Sequence, residues 1–114
     1  MVSNPREITN ERERLSALER LGIVDTPVEA RFDRITHLAS RVFDCKFAFI
    51  SFVEERRQWF KSSANIDMSE TPRHDALCSH TIEQQHPLVI PNTLEDDRFR
   101  EKPHVKRDPH FRFY

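Results

Sequence analysis

An almost unbroken apolar run from Phe47 to Val53, interrupted only by Ser51, constrains the fold of this chain most strongly. Four charged residues at 54–57 follow it directly. A run this short, rich in aromatic and β-branched residues and ended by charge, predicts a strand buried on both faces. Residues 58–64 then alternate, which predicts a second, more exposed strand joined to the first in a hairpin. On this second strand the alternation would place Trp59, Lys61 and Ser63 on one face and Gln58, Phe60 and Ser62 on the other.

Composition excludes several functional classes. The chain has 114 residues, enough for one domain, and its 18 basic and 19 acidic side chains nearly cancel, which argues against a nucleic-acid partner. Gly22 is its single glycine, so neither a P-loop nor a dinucleotide-binding loop can be formed. No apolar run reaches the ~20 residues of a membrane span and no signal-peptide pattern is present. With two cysteines, we expect a cytoplasmic domain without a disulfide scaffold or membrane contact.

Two amphipathic helices are predicted before the hairpin. The first, over residues 11–21, would be capped by Asn10 and stopped by Gly22 in a left-handed conformation. The second, over residues 27–43, has the N-cap signal of Thr26 followed by proline. Its apolar residues recur at helical spacing, so this helix should lie on the sheet through that face. The residues of this face are Val28, Phe32, Ile35, Leu38, Ala39 and Val42.

After the hairpin the patterns are weaker. Composition predicts loops over residues 65–73 and 102–110. It predicts a helix over 76–85 capped by Asp75, a strand over 88–90, a single helical turn within 93–100 and the beginning of a strand over 111–114. An ion pair of Arg73 with Glu70 or Asp67 would hold the first loop.

Several motifs in this order resemble the GAF domain of bacterial signalling proteins. They are the segments at 13–27, Phe32-Asp33, 57–62, 70–73, Cys78-Ser79-His80-Thr81-Ile82, 87–91, 97–99 and 111–114. The resemblance implies an α+β fold, related to PAS domains, with a mainly antiparallel sheet and flanking helices. It implies one domain over 1–114, with helices at 10–22 and 27–43 and the sheet and loops over 47–114. In the family the last motif opens a strand and further strands follow, so the domain looks incomplete at its C-terminus. The open edge of the 47–53 strand should therefore pair with a second copy or be covered by the two helices.

The resemblance also implies a small-molecule pocket on one side of the sheet. Candidate ligand-binding residues are Trp59, Lys61, Cys78, His80 and Thr81. They offer an aromatic wall and a few polar groups. A structural role is an equally good interpretation for each, because Trp59 would also cover a core and Lys61 would also suit a solvated strand. Nothing in the sequence identifies a cofactor.

Chemistry at Cys78 is the main alternative. A thiol near a helix N-terminus beside His80 would suit a thiol-dependent enzyme. Cys78 and His80 are two residues apart, however, so on a helix their side chains point about 200° apart. A role as a small buried core residue suits Cys78 as well. A metal site at His74 and Cys78 lacks further ligands at a matching spacing. Bilin attachment at Cys78 is disfavoured. GAF domains that carry a bilin have the attachment cysteine directly beside a histidine, whereas a serine separates Cys78 from His80 here, and the preceding segment also lacks the motifs of those domains.

We therefore expect a non-catalytic regulatory domain that binds a small ligand or mediates dimerisation. Its effector would be a histidine kinase or an enzyme of cyclic-nucleotide or diguanylate signalling. Expected partners are a small molecule and a second copy or an effector domain in the same polypeptide. The alternative is a thiol-dependent enzyme on the GAF fold, such as a methionine sulfoxide reductase.

Overall fold

The computed structural model describes the backbone of residues 5–114 and the side chains of residues 10–114. Its helices are α1 (Pro5–Leu21), α2 (Ala30–Val42), α3 (Cys78–Thr81) and α4 (Pro103–Lys106), and its strands are β1 (Ala48–Val53), β2 (Arg57–Ala64) and β3 (Glu70–Pro72). Two further single turns of 3₁₀ helix lie at Arg73–Asp75 and Thr93–Glu95. The described strands form one antiparallel sheet in the order β1-β2-β3, and α2 packs on β1 and β2.

The hairpin forms as predicted, but its burial is reversed. β2 is the central strand and most of its residues are buried, whereas β1 is buried only at Val53. The prediction of a doubly buried first strand and a more exposed second one was therefore wrong. Within the described chain β1 pairs only with β2, so its other edge has no partner strand there. Pairing of this open edge with a second copy stays a prediction.

A bulge in β2 changes which residues share a face. Ile50 pairs with Ser62 and Ser51 pairs with Phe60, so Lys61 has no partner on β1. The extra residue shifts the alternation by one position. As a result Ser62 lies on the α2 side of the sheet and does not share the face of Phe60.

The second helix begins later than predicted. It starts at Ala30, with Glu29 in the N-cap position and no side-chain cap. Thr26 does not cap this helix: its hydroxyl instead donates to the carbonyl of Ile23 and accepts from Lys61. The expected cap at Thr26 and the helical start at Pro27 were wrong.

The face that α2 turns to the sheet is only partly the predicted apolar one: Phe32 is half-buried there, beside Lys61 of β2, but the fully buried residues are polar. Thr36 and Ser40 are its buried residues, whereas Ile35, Leu38 and Val42 are exposed. The Thr36 hydroxyl lies 2.9 Å from that of Ser62. Buried hydroxyl groups need such partners, and β2 supplies them at the bulge. Burial of Ile35 and Leu38 against this sheet does not occur.

The first helix extends beyond its predicted start. Asn10 lies inside α1 and is not its cap, whereas the end at Leu21 is confirmed. Gly22 follows with φ of +60°, the left-handed conformation that was predicted for it.

The C-terminal half is more irregular than its pattern suggested. The predicted strand at 88–90 is not formed, and the third strand is β3, inside a predicted loop. Ile90 still exchanges two backbone hydrogen bonds with Tyr114, at 2.6 and 2.9 Å. The predicted helix at 76–85 is reduced to α3, Asp75 belongs to the 3₁₀ turn before it, and the predicted loop at 102–110 contains α4. A core of Leu77, Ile90, Phe99 and Val105 holds these segments together.

Glu11 fastens α1 to the sheet region. Its carboxylate accepts from Arg14 at 2.8 Å and from Arg73 at 2.6 Å. Arg14 also donates to the carbonyl of Val53 at the end of β1. Arg73 thus pairs with Glu11 and not with the predicted Glu70 or Asp67. The hydrogen bond from Arg14 is the largest cause that lowers the pKa of Glu11, from 4.5 to about 2, and Arg73 adds to it.

This pKa predicts a loss of stability in acid. A lowered carboxyl pKa stabilises the fold above about 4.5, and that contribution disappears as the pH falls towards about 2. Glu11→Gln should remove this part of the acid sensitivity, and near neutral pH it should cost about 1 kcal/mol because the pair is partly exposed. Urea unfolding over this pH range measures both effects. Glu13→Gln is the control. If it reduced the acid sensitivity of the free energy of unfolding as much as Glu11→Gln, the attribution to Glu11 would be contradicted.

Candidate functional site

A cavity of about 690 Å³ lies between the sheet and residues 109–114, called the C-terminal segment below. One side is formed by β1 and β2 on the face opposite α2, and the other by α3 and by residues 104 and 109–114. This volume is in the range of pockets that hold small organic molecules. Its described lining residues are Asp44, Cys45, Lys46, Phe47, Ala48, Phe49, Ser51, Gln58, Phe60, Met68, Thr71, Ala76, Leu77, Cys78, His104, Pro109, His110, Phe111, Arg112, Phe113 and Tyr114.

Aromatic rings dominate the walls of this cavity. Phe49 of β1 packs edge-to-face on Phe60 of β2, with ring centroids 5.2 Å apart, and on Phe111, with centroids 5.9 Å apart. Phe47 contacts Phe111 in the same way at 5.6 Å. The rings of the sheet therefore touch the C-terminal segment directly. Such a wall could hold the flat ring of a ligand, because aromatic pairs form readily in stacked and edge-to-face geometries.

Part of the wall is a hydrogen-bonded chain of polar side chains. Gln58 donates to the Ser51 hydroxyl at 2.7 Å, and that hydroxyl donates to the Cys78 sulfur at 3.8 Å. The Tyr114 hydroxyl donates to the same sulfur at 3.1 Å. Tyr114 has used its proton, so the Thr81 hydroxyl, 2.6 Å away, donates to Tyr114. These hydrogen bonds join β1 and β2 to α3 and to the C-terminal segment.

Burial shifts the pKa of two side chains at or near these hydrogen bonds, Tyr114 and His80. It raises the pKa of the Tyr114 phenol, with the neighbouring Cys78 as the second cause, so Tyr114 stays a hydrogen-bond donor. Burial is also the main cause that lowers the pKa of His80, which favours its neutral form. The His80 ring packs edge-to-face on Phe99 with centroids 5.1 Å apart. His80 therefore contributes to the core behind the cavity.

The five predicted ligand-binding residues do not lie together. Cys78 lines the cavity, and Thr81 reaches it only through Tyr114. His80 packs against Phe99, outside the lining. Trp59 and Lys61 are buried on β2 and also lie outside the lining. Ligand contact by any of the five stays a prediction.

Lys61 is instead fully enclosed between β2 and the start of α2. Its ammonium group donates to the Thr26 hydroxyl at 2.7 Å and to the Pro27 carbonyl at 2.5 Å, and it lies 2.7 Å from the Glu29 carboxylate. The side chain is 0% exposed. The expectation that Lys61 is a solvated strand residue was wrong. It joins the α1–α2 connection to the sheet.

Sequence reasoning missed most of the lining. Residues 111–114 were predicted only to begin a strand; that strand is not formed, and all four residues line the cavity. The alternation of residues 58–64 does place Gln58 and Phe60 on one face and Trp59 on the other. The face of Gln58 and Phe60 is the one that lines the cavity. That pattern was the available signal for the cavity face, whereas the predicted ligand-binding residues Trp59 and Lys61 lie outside the lining.

Neither a metal site nor a disulfide is seen in the part of the chain that the structure describes. Over those residues no group of three or more His, Cys, Asp or Glu side chains could hold a metal ion. Cys45 and Cys78 are both free thiols, and both line the cavity. The helices described here include none with the length and apolarity needed to cross a membrane.

Comparison with known proteins agrees with this architecture. The GAF domain family model matches residues 27–114. The chain is 30% identical over 113 residues to "Cyclic di-GMP phosphodiesterase PA2567" of Pseudomonas aeruginosa. That alignment covers 99% of this chain and 19% of the relative, so the chain spans about a fifth of the relative's length. The helices, the antiparallel sheet and the family match confirm the expected α+β fold, and the chain belongs to the GAF domain family.

Proposed function

We propose that this chain is a non-catalytic regulatory domain of a cytoplasmic signal-transduction protein and that it senses a small molecule in the cavity. The observation that carries this proposal is the cavity itself, walled on one side by the sheet and on the other by the C-terminal segment. Membership of the GAF family supports a regulatory role, as does similarity to a protein named a cyclic di-GMP phosphodiesterase.

The lining favours an aromatic carboxylate as the ligand. Five phenylalanines line the cavity, and two basic side chains, Lys46 and Arg112, line it with them. Asp44 is the one acidic residue among the described residues of the lining. A flat ring would pack against the rings of Phe49 and Phe60, and a carboxylate would be attracted to the basic groups.

Ligand binding would act on the signal through the C-terminal segment. Phe111 contacts the rings of Phe47 and Phe49. Tyr114 is held by hydrogen bonds to Ile90 and Thr81. A ligand that separates Phe49 from Phe111 would shift this segment and would thereby favour one of two packings. The output would pass to a second copy in a homodimer or to an effector domain of the same polypeptide. A histidine kinase or an enzyme of cyclic-nucleotide or diguanylate signalling is the expected effector.

Titration with indole-3-acetate tests the ligand proposal, with indole-3-ethanol as the uncharged control. In ¹H–¹⁵N spectra we expect the amides of Phe49, Phe60 and Phe111 to shift, and we expect the alcohol to bind more weakly. Met68→Trp should fill the cavity from its loop and lower the affinity about tenfold or more, which corresponds to about 1.4 kcal/mol. Leu94→Trp, outside the lining, is the matched control.

Two results would contradict this proposal. One is the absence of amide shifts at saturating indole-3-acetate in a chain whose spectrum is well dispersed. The other is equal loss of affinity in Met68→Trp and Leu94→Trp, which would place binding elsewhere.

A thiol-dependent enzyme is the second candidate, because two thiols line one cavity and the Cys78 sulfur accepts from both Ser51 and Tyr114. A methionine sulfoxide reductase would oxidise two thiols to a disulfide while the sulfoxide loses its oxygen as water. Turnover that is lost in Cys78→Ala would favour this candidate. Ligand binding that survives Cys78→Ala, with no turnover in the parent chain, would favour the sensor.

A further inference from the structure

The outer face of α2 is apolar, although this helix already packs on a sheet. Ile35, Leu38 and Val42 are 55%, 62% and 66% exposed, while the buried residues of the same helix are Thr36 and Ser40. A helix in a globular domain normally turns its apolar stripe inward. Here the stripe lies at spacings of three and four residues on the side away from the sheet. An apolar helical face of this kind is typical of a docking surface.

The charges beside this stripe all have one sign. The exposed basic and titratable residues of α2 are Arg31, Arg34, His37 and Arg41. Asp33, the single acidic residue of the helix, is turned to the sheet and accepts from the Ser62 hydroxyl at 2.6 Å. The outer face therefore combines an apolar stripe with basic flanks.

Two of these basic side chains are available to a partner. Arg31 lies 3.0 Å from the Glu29 carboxylate. Arg34 and Arg41, by contrast, have no carboxylate within 4 Å among residues 10–114. They lie seven residues apart, two turns of helix, so they flank the stripe on the same side.

We propose that the outer face of α2 docks an acidic amphipathic helix of a partner protein. The stripe of Ile35, Leu38 and Val42 would pack between the side chains of the incoming helix, as ridges pack into grooves. Acidic residues two turns apart on that helix would pair with Arg34 and Arg41. Charge complementarity of this kind selects the partner and its orientation.

The same charges disfavour a second copy of this face as the occupant. In an antiparallel two-fold contact between α2 helices, Arg34 and Arg41 of one copy would meet the same arginines of the other. An anionic membrane surface fits less well than a helix. Membrane-surface helices present a wide apolar face with bulky residues, whereas the exposed large apolar residues of α2 are Ile35, Leu38 and Val42, two of which are β-branched.

Binding of two designed helical peptides tests the proposal. Both carry leucines at the spacing of the α2 stripe over about 15 residues, and the flanking positions hold glutamate in one peptide and lysine in the other. With the chain as it stands, we expect the glutamate peptide to bind at least about tenfold more tightly and to shift amides of α2. The double variant Arg34→Glu, Arg41→Glu should reverse the preference, and Leu38→Glu should weaken both complexes. All three positions are exposed, so we expect each variant to fold. Circular dichroism checks this.

Three results would overturn the proposal. The first is that both peptides bind alike or that neither binds to the folded chain. The second is self-association in light scattering that Leu38→Glu abolishes, which would make a second copy the occupant. The third is binding to phosphatidylserine vesicles that Leu38→Glu abolishes while the peptides do not bind, which would make a membrane the occupant.

Discussion

Replacing Phe99 by alanine is expected to lower the free energy of unfolding by about 4 kcal/mol, the usual cost of emptying a large aromatic site in a core. Phe99 is 0% exposed and packs with Leu77, Ile90 and Val105. Its ring also contacts Tyr114, with centroids 5.9 Å apart. The described C-terminal half has little regular secondary structure, so side-chain packing supplies most of its stability.

The matched control is Phe113→Ala. Phe113 is 60% exposed, so its loss should change the free energy of unfolding by no more than about 0.5 kcal/mol. Urea unfolding of both variants and the parent chain measures the difference. Equal destabilisation by the two substitutions would mean that the C-terminal segment is not organised around Phe99.

The second large effect is expected for Lys61→Ala, which should cost about 3 kcal/mol. The substitution removes an enclosed side chain together with its hydrogen bonds to Thr26 and Pro27. The Pro27 carbonyl loses a charged donor, and a cavity remains beside the Phe32 ring, whose centroid is 5.3 Å from the ammonium group.

Lys106→Ala is the control for this substitution. Lys106 also pairs with a carboxylate, that of Glu101 at 2.9 Å, but both side chains are exposed. Such pairs contribute little, so the thermal midpoint should stay close to that of the parent chain. If both variants unfold at the same midpoint, Lys61 does not join the α1–α2 connection to the sheet.

Local patterns predicted the elements better than their faces. The run ending at Val53 and the alternation after it gave the hairpin, because both features are contained in consecutive residues. The bulge at Lys61 could not be predicted, since the pairing of Ile50 with Ser62 is a relation between two strands. That one extra residue moved Ser62 to the helix side, where it could pair with Thr36.

The candidate site was predicted only in part, for the same physical reason. Cys78 was identified, but its neighbours in the cavity come from segments far apart in sequence. The wall formed by residues 111–114 depends on the pairing of Tyr114 with Ile90 and on its hydrogen bond with Thr81. No periodicity within a single segment encodes such contacts, whereas the resemblance to the GAF family did indicate that a pocket should exist.

Intermolecular nuclear Overhauser effects between the chain and indole-3-acetate test the central claim most directly, because they report which protein protons lie against the ligand. We predict contacts from the indole ring to the rings of Phe49, Phe60 and Phe111, all of which line the cavity. Contacts only to residues outside the cavity, such as Trp59 or Leu94, or no contacts under conditions that saturate binding, would contradict it.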